Sequence, residues 1–419
     1  MTAKKGIKLL TELLNLEGIK VISHRQHEGI GIILQLEPIR KESVCPRCRT
    51  KSHRVHQNHR YIVKDLPWGE KTVFLEINRR QFKCGKCQKP FSEDLDFIKK
   101  RRTYTKRLAS QIIQEVIEND IHSVAKKKVV TTEEIERMLK DAASELLESK
   151  PTELKRLGID EIALIKGRGN YCAVLIDLDK SKLIGIIDGR TQAEISQVMR
   201  GWGTEVLELI EEVSIDLWKG YKNLVIELMP NAQVVADRFH VMAQINKELD
   251  NHRKREKRKV EDLIKTAKTS EEKAKHEQVL EGLKKSKYVL LKNEKDLSEE
   301  QESKLVQVKE VSPELKIMHE LKEEIREIFE QSDNWLTGLL KLGIWLGSAK
   351  KYFPDSQNTI IRWLDEIIAF FDNRTTSGVV EGINNKLKLI KRSAYGFRNF
   401  ENYRIRCLLN WQLIVDLAY

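Results

Sequence analysis

Long apolar runs are missing from this 419-residue chain, and no stretch approaches the roughly 18 residues that a membrane-spanning helix needs. The opening residues, MTAKKGIKLL, lack a signal-peptide core followed by a small-residue cleavage site, so a soluble cytoplasmic protein is expected. Proline is scarce (8) and glycine modest (21), which excludes collagen-like and proline-rich material. Hydrophobic residues nevertheless make 40% of the chain, which excludes a mostly disordered protein. At this length they suffice for roughly two to four domains around at least one sizeable core.

Acidic residues are scarce in one place only. Residues 1–108 hold 25 Lys and Arg against 11 Asp and Glu, a net charge of +14, whereas residues 109–419 hold 50 against 52. The overall +12 is therefore concentrated in the first quarter of the chain. A polyanion partner is implied, and nucleic acid leads, because each neutralised phosphate releases a counterion and strengthens binding.

Cysteine is rare as well, six in all, and four of the six form two pairs: Cys45-Pro-Arg-Cys48 and Cys84-Gly-Lys-Cys87. Two residues between thiols let one turn aim both sulfurs at a metal while nearby amides hydrogen-bond them. Two such knuckles suit one tetrahedral zinc ion with a structural role, since four protein ligands leave no open position for chemistry. The missing secretory signal argues against disulfides. The 35 residues between knuckles exceed the spacing of compact zinc ribbons, and strand-like runs around 55–63 and 72–77 predict a β-hairpin excursion there. His53, His56 and His59 are alternative ligands; four thiolates make the simpler set.

After the second knuckle comes a basic cluster, Lys99, Lys100, Arg101, Arg102, Lys106 and Arg107, placed to contact DNA phosphates. Helical spacing follows at Leu108, Ile112, Ile113, Val116 and Ile117, then a turn at Asn119-Asp120 and a short helix. Thr131 with Glu134 predicts a capping box that opens a further helix. Three helices with tight turns suggest a helix-turn-helix, although the acidic last helix is a poor face for phosphates and a structural linker fits equally.

From about 157 the period changes to that of strands. Runs at 157–165, 171–177 and 182–188, a helical stretch to about 210, a strand at 212–216, a helix and a strand at 232–236 follow in the order of a ribonuclease-H-like sheet. Asp160 lies inside the first strand and Asp216 ends the fourth. If those strands are neighbours, both carboxylates face one crevice and suit Mg²⁺ or Mn²⁺, hard cations that take oxygen ligands. A third acid would complete a two-metal site for phosphoryl transfer. Glu381 is the candidate: with 379–392 helical, it shares a face with Asn384, Asn385, Lys388 and Arg392, opposite Ile383, Leu387, Ile390 and Ala394. Glu381 lies 165 positions after Asp216, too far for a loop, and Lys/Glu-rich helical runs predict an all-α insertion there. Its Trp335, Trp345 and Trp363 are candidates for stacking on an unpaired base, with core packing the commoner fate.

Taken together these segments resemble the ISL3 family of bacterial insertion-sequence transposases, which are DDE enzymes. The resemblance is carried by the double C-x-x-C domain, LGIDE at 157–161 with Lys166 and Gly167 behind it, SIDLWKGY at 214–221, ADRFHV at 236–241, and TTSGVVEGINNKLKLIKRSAYGFRNFENYRIR at 375–406. It implies a multidomain α/β protein: a zinc-binding DNA-binding domain (1–98), a helix-turn-helix-like domain (99–150) and a ribonuclease-H-like catalytic core (151–243 and 371–419) split by a helical insertion (244–370). It further implies Mg²⁺-dependent cutting of element ends at terminal inverted repeats and joining to target DNA, in a homodimer or larger assembly. By position Asp160, Asp216 and Glu381 take the DDE roles. Lys388, Lys391, Arg392 and Arg398 are expected near phosphates. The family's C/D-x-x-H element falls on Asp237 and His240; Asp237 is also an alternative to Asp216 as second acid and a plausible helix cap. The rival functions are a catalytically silent DNA-binding regulator and a nuclease without strand transfer.

Overall fold

The computed structural model describes residues 3–148, 150–163, 171–375, 378–394, 397 and 399–417. The chain divides into two compact units, residues 1–146 with 390–419, and residues 147–389. No helix among the described residues is long and apolar enough to cross a membrane.

The first unit opens with helix α1 (Ala3–Leu14) and strands β1 (Ile19–His27), β2 (Gly31–Pro38), β3 (Ser43–Val44), β4 (Lys51–Ser52), β5 (Val55–Trp68), β6 (Lys71–Lys83) and β7 (Pro90–Ser92). The main sheet runs β1-β2-β6-β5, with β7 on β6 and β2 parallel to β6. Period-two patterning explains it: Val73, Leu75 and Ile77 on β6 face inward with Leu34, Leu36 and Val63. Gly31, at φ +126°, passes so close to β6 that a Cβ would sit 2.2 Å from the Thr72 carbonyl oxygen, so no side chain fits there.

Helices α2 (Lys106–Glu118), α3 (Ile121–Lys128) and α4 (Thr132–Glu148) follow, and α17 (Phe400–Leu417) returns to this unit. The starts of α2, α3 and α4 are each capped, and the one read from the sequence, Thr131 with Glu134, is among them. Thr105 accepts from the Leu108 amide, Asp120 from the Ser123 amide, and Thr131 and Glu134 exchange bonds of 3.1 Å. The basic cluster is not uniformly free. Arg102 makes a two-pronged bond to Asp141 at 2.6 and 2.7 Å, and Arg107 pairs with the buried Asp65, which also accepts from Thr105. Lys99 is exposed but donates to the Asp141 carbonyl; Lys100, Arg101 and Lys106 remain exposed.

The second unit carries β8 (Arg156–Ala163), β9 (Tyr171–Asp177), β10 (Lys182–Asp188), β11 (Glu212–Ile215) and β12 (Gln233–Ala236) in the spatial order β10-β9-β8-β11-β12. The first three form an antiparallel meander; β11 runs parallel to both β8 and β12. The meander's first turn, Gly167–Asn170, with Lys166, lies outside the described residues. Helices α5 (Gln192–Arg200), α6 (Thr204–Glu208) and α7 (Lys219–Leu228) connect the strands, and β9 and β11 are buried along almost their whole length.

Beyond β12 the described chain is helical to residue 373: α8 (Arg238–Thr266), α9 (Ser270–Leu283), α10 (Ser286–Leu291), α11 (Glu299–Val311), α12 (Pro313–Gln331), α13 (Trp335–Ala349), α14 (Pro354–Arg362) and α15 (Leu364–Asn373), with a 3₁₀ turn at Glu294–Asp296. Trp345 and Trp363 are buried here, Trp345 donating to the Leu321 carbonyl, so both serve the core; Trp335 is 48% exposed. Helix α16 (Gly378–Ser393) follows, and two contacts seat it. Buried Glu212, at the start of β11, accepts from Asn373 at 2.6 Å and from Thr375, anchoring the chain just before α16. Gly158 on β8 leaves room for Val380, whose Cγ2 would lie 3.4 Å from an added Cβ.

Candidate functional site

Two clusters of donor atoms stand out. In the first unit the short β3–β4 ladder presents Cys45 and Cys48, and the β6–β7 turn presents Cys84 and Cys87. The two knuckles have the same backbone construction. In each, the amide four residues after the first cysteine donates to that cysteine's carbonyl (Arg49 to Cys45, Gln88 to Cys84), and that residue is left-handed, φ +60° and +56°. Ser52 donates to the Lys83 carbonyl at 2.6 Å, locking one knuckle to the other.

Cys45 and Cys87 sulfurs lie 3.7 Å apart, Cys48 and Cys84 3.4 Å, and all four within 4.8 Å of one another. Tetrahedral Zn–S bonds of about 2.3 Å require sulfur separations of roughly 3.8 Å, so the four thiols fit one structural zinc ion. Their protons are already unequal. The Thr50 hydroxyl and amide pull the Cys48 thiol down to about 6; Cys87 is pushed up to about 11, the Lys89 amide's opposing pull being outweighed by burial and by the other sulfurs. All four cysteines are free thiols. His53 pairs with Glu42 and His59 with Gln57, and no histidine joins the thiols among the described residues.

The acidic site in the second unit is built from the sheet. The β8–β11 register pairs Ile159 with Ile215, so Asp160 and Asp216 emerge side by side. Strand alternation sends the next residue, Glu161, the other way, where it accepts from Tyr221 and Arg190, both at 3.0 Å. His240, on the first turn of α8, reaches back so that its Nε2 is 2.6 Å from Asp216 Oδ1 and 3.8 Å from Asp237 Oδ2. Asp237 is the N-cap of α8, accepting from the Phe239 amide at 2.8 Å. Donor atoms of Asp160, Asp216 and His240 lie within 4.8 Å of one another.

Electrostatics set these groups apart. Burial, then the neighbouring Asp216 charge, pushes Asp160 up to about 6. For His240 burial works toward the neutral ring, but the hydrogen bond to Asp216 and the surrounding carboxylates outweigh it and raise the value. A half-buried pair of carboxylates beside an imidazole is a donor set that fits a divalent cation.

Helix α16 meets this site differently from the expected helical face. Asn384 is buried with Val380, Ile383 and Leu387, and its Nδ2 donates to Asp160 Oδ2. Glu381, one turn earlier, is exposed and does not join the cluster among the described residues; Asn385, Lys388 and Arg392 are also exposed, and Lys391 is half-buried. Arg398 lies outside the described residues. The face assigned to charged residues thus has Asn384 on its buried side, because packing against β8 rotates that position toward a carboxylate in need of a donor. The available signal was the i, i+3 spacing of Glu381 and Asn384.

Residues 157–407 match the family model of the DDE transposases of ISL3 type, described as a transposase, and residues 41–87 match one described as the zinc-finger of transposase IS204/IS1001/IS1096/IS1165. The chain is 25% identical over 402 residues to the "Transposase for insertion sequence element IS1001" of Bordetella parapertussis, covering 93% of this chain and 94% of that protein. It is 30% identical over 259 residues to the "Transposase for insertion sequence element IS1557" of Mycobacterium tuberculosis, 59% of this chain and 57% of that protein.

Proposed function

The chain belongs to the ISL3 family of DDE transposases, and from that premise we propose that it binds the terminal inverted repeats of its element, cuts the DNA there and joins the freed ends to target DNA. The carrying observation is the convergence of Asp160, Asp216 and His240 from three separated elements. In this reading residues 151–243 and 371–419 form a ribonuclease-H-like core, 244–370 its helical insertion, 99–150 a helix-turn-helix-like domain and 1–98 the zinc-bearing DNA-binding domain. The strand order β10-β9-β8-β11-β12 and the run of helices in the intervening segment support the core and its insertion, whereas residues 390–419 cluster with the first unit. The active form is a homodimer or larger.

Asp160, Asp216 and Glu381 would hold Mg²⁺ or Mn²⁺. When bound, such a cation lowers the pKa of an attacking oxygen and neutralises charge that develops at the phosphate. His240, held by Asp216 at 2.6 Å, orients the scissile strand or a ligand at the site. Asp237 supports it by fixing the first turn of α8. Lys388, Lys391, Arg392 and Arg398 hold phosphates beside the cut, and Lys99, Lys100, Arg101, Arg102, Lys106 and Arg107 hold the element end. Within that last group, Lys100, Arg101 and Lys106 are the freest to do so.

The test is incubation of purified protein with labelled element ends and Mg²⁺, resolving nicks, breaks and joined products. Asp216→Asn is expected to keep end binding and lose cleavage at least a thousandfold. Unchanged cleavage removes Asp216 from the role and promotes Asp237. Binding without product in the wild type turns the assignment to a silent regulator, and cutting without joining turns it to a nuclease.

A further inference from the structure

The amide of Asn384 is used on one side only. Its Nδ2 donates to Asp160 Oδ2, while Oδ1, bonded to the same carbon, is buried and without a hydrogen-bond partner among the described residues. The whole residue is 7% exposed and sits among Val380, Ile383 and Leu387, so no bulk water compensates the carbonyl. Flipping the amide gives no relief, because it would set the carbonyl against the Asp160 carboxylate and leave the NH₂ unpaired. A buried neutral oxygen with free lone pairs, on the amide that donates to Asp160, is the type of ligand a hard divalent cation takes.

We propose that Asn384 is a direct oxygen ligand of the divalent cation and at the same time the residue that orients Asp160 toward it. Asn384 then extends the acidic triad, supplying an uncharged ligand from the helix that also carries Glu381. The chemistry suits the place. A third carboxylate at this buried position would add repulsion to a pair already under strain, whereas an amide offers an oxygen to the cation and a donor to Asp160 without adding charge. This inference rests on the assignment of Asp160 and Asp216 as cation-binding acids.

The experiment measures Mn²⁺ binding to full-length, zinc-loaded protein without DNA, from the spin-resonance signal of free Mn²⁺. Wild type, Asn384→Ala, Asn384→Asp and Asp160→Asn are compared, with thermal melting as the check on folding. Asn384→Ala is expected to weaken Mn²⁺ binding about ten- to a hundredfold. Asn384→Asp, which keeps an oxygen at the same reach but adds a charge and loses the donor to Asp160, is expected to weaken binding less than Asn384→Ala. A folded Asn384→Ala with wild-type affinity overturns the proposal, and so does cleavage lost with Mn²⁺ binding intact, which would put the carbonyl on the nucleophile instead. Should the alanine variant not fold, Asn384→Asp decides: a loss of binding as large as that of Asp160→Asn overturns it. Wild-type affinity in Asp160→Asn would instead bring down the acidic pair as the cation site, a failure of the underlying assignment.

Discussion

The four-thiol site and the acidic site differ first in how far their parts travel along the chain. Cys45 and Cys87 are 42 residues apart, and each pair of ligands comes from a single turn of six residues that closes on its own hydrogen bonds. Asp160 and Asn384 are 224 residues apart and meet only because β8, β11, α8 and α16 have all been laid down around them. The thiol site has a small core of its own, Cys45, Phe82, Cys84 and Phe91, and needs an ion to hold it. The acidic site stands on a large apolar core that includes Leu157, Ile159, Val213 and Ile215, so the fold holds the acids and not the reverse. Where the metal makes the structure, ligands are local; where the structure makes the metal site, they need not be.

The largest expected effect tests that distinction. Removing zinc by chelation, or mutating Cys45→Ser, withdraws an interaction worth about 10–16 kcal/mol in isolated zinc-binding peptides. Hydrogen exchange should then show residues 43–54 and 82–92 losing protection, while the amides of Val73, Leu75 and Ile77 on the same long hairpin stay protected by their own core. Collapse of both together would mean that the ribbon is not separately stapled.

A smaller effect of opposite sign is expected at the acidic site. Asp160 takes up a proton near pH 6 when folded, against about 3.8 ordinarily, so the folded state binds the proton more readily than the unfolded chain does. In cation-free buffer, stability from this group is therefore missing at pH 7 and is gained as pH falls through 6 toward 4. Asp160→Asn should be more stable than wild type by about 1–3 kcal/mol at pH 7, a gap that closes by pH 4. Urea titrations of the two proteins across that range check it; a destabilised asparagine variant would show that the pair is not under strain.

Smallest is the cap. Asp237→Ala should cost about 1 kcal/mol in melting experiments and Asp237→Asn almost nothing, since asparagine caps as well as aspartate. Cleavage by Asp237→Asn should fall far less than by Asp216→Asn, because Asp237 touches His240 at 3.8 Å where Asp216 does so at 2.6 Å. The reverse order would exchange the two acids.

Legibility in the sequence followed the same division. The knuckles, the capping box at Thr131 and the alternation in β6 and β8 are local patterns, and each forms as its residues dictate. Asp160 and Asp216 are candidates to meet if their strands are neighbours, and the β8–β11 register makes them so. Asn384 could not be singled out, since a helical wheel gives the angle between residues but not the rotation of the wheel against its neighbour. Arg102 and Arg107 read as phosphate contacts by composition, yet Asp141 and Asp65, 39 and 42 residues distant, claim them.

The sequence by itself determined the chemistry available to this protein. Two thiol pairs at knuckle spacing, one aspartate inside a strand and another at the end of a second, a basic front end and family-specific blocks follow from covalent neighbours and short periods, which act over a few residues. Only the tertiary structure decided which of those groups meet. The seat of α16 on Gly158, the reach of His240 to Asp216 and the burial of Asn384 against Asp160 depend on packing between segments that share no local signal. Close packing sets such distances to within an ångström, and no property of an isolated segment can.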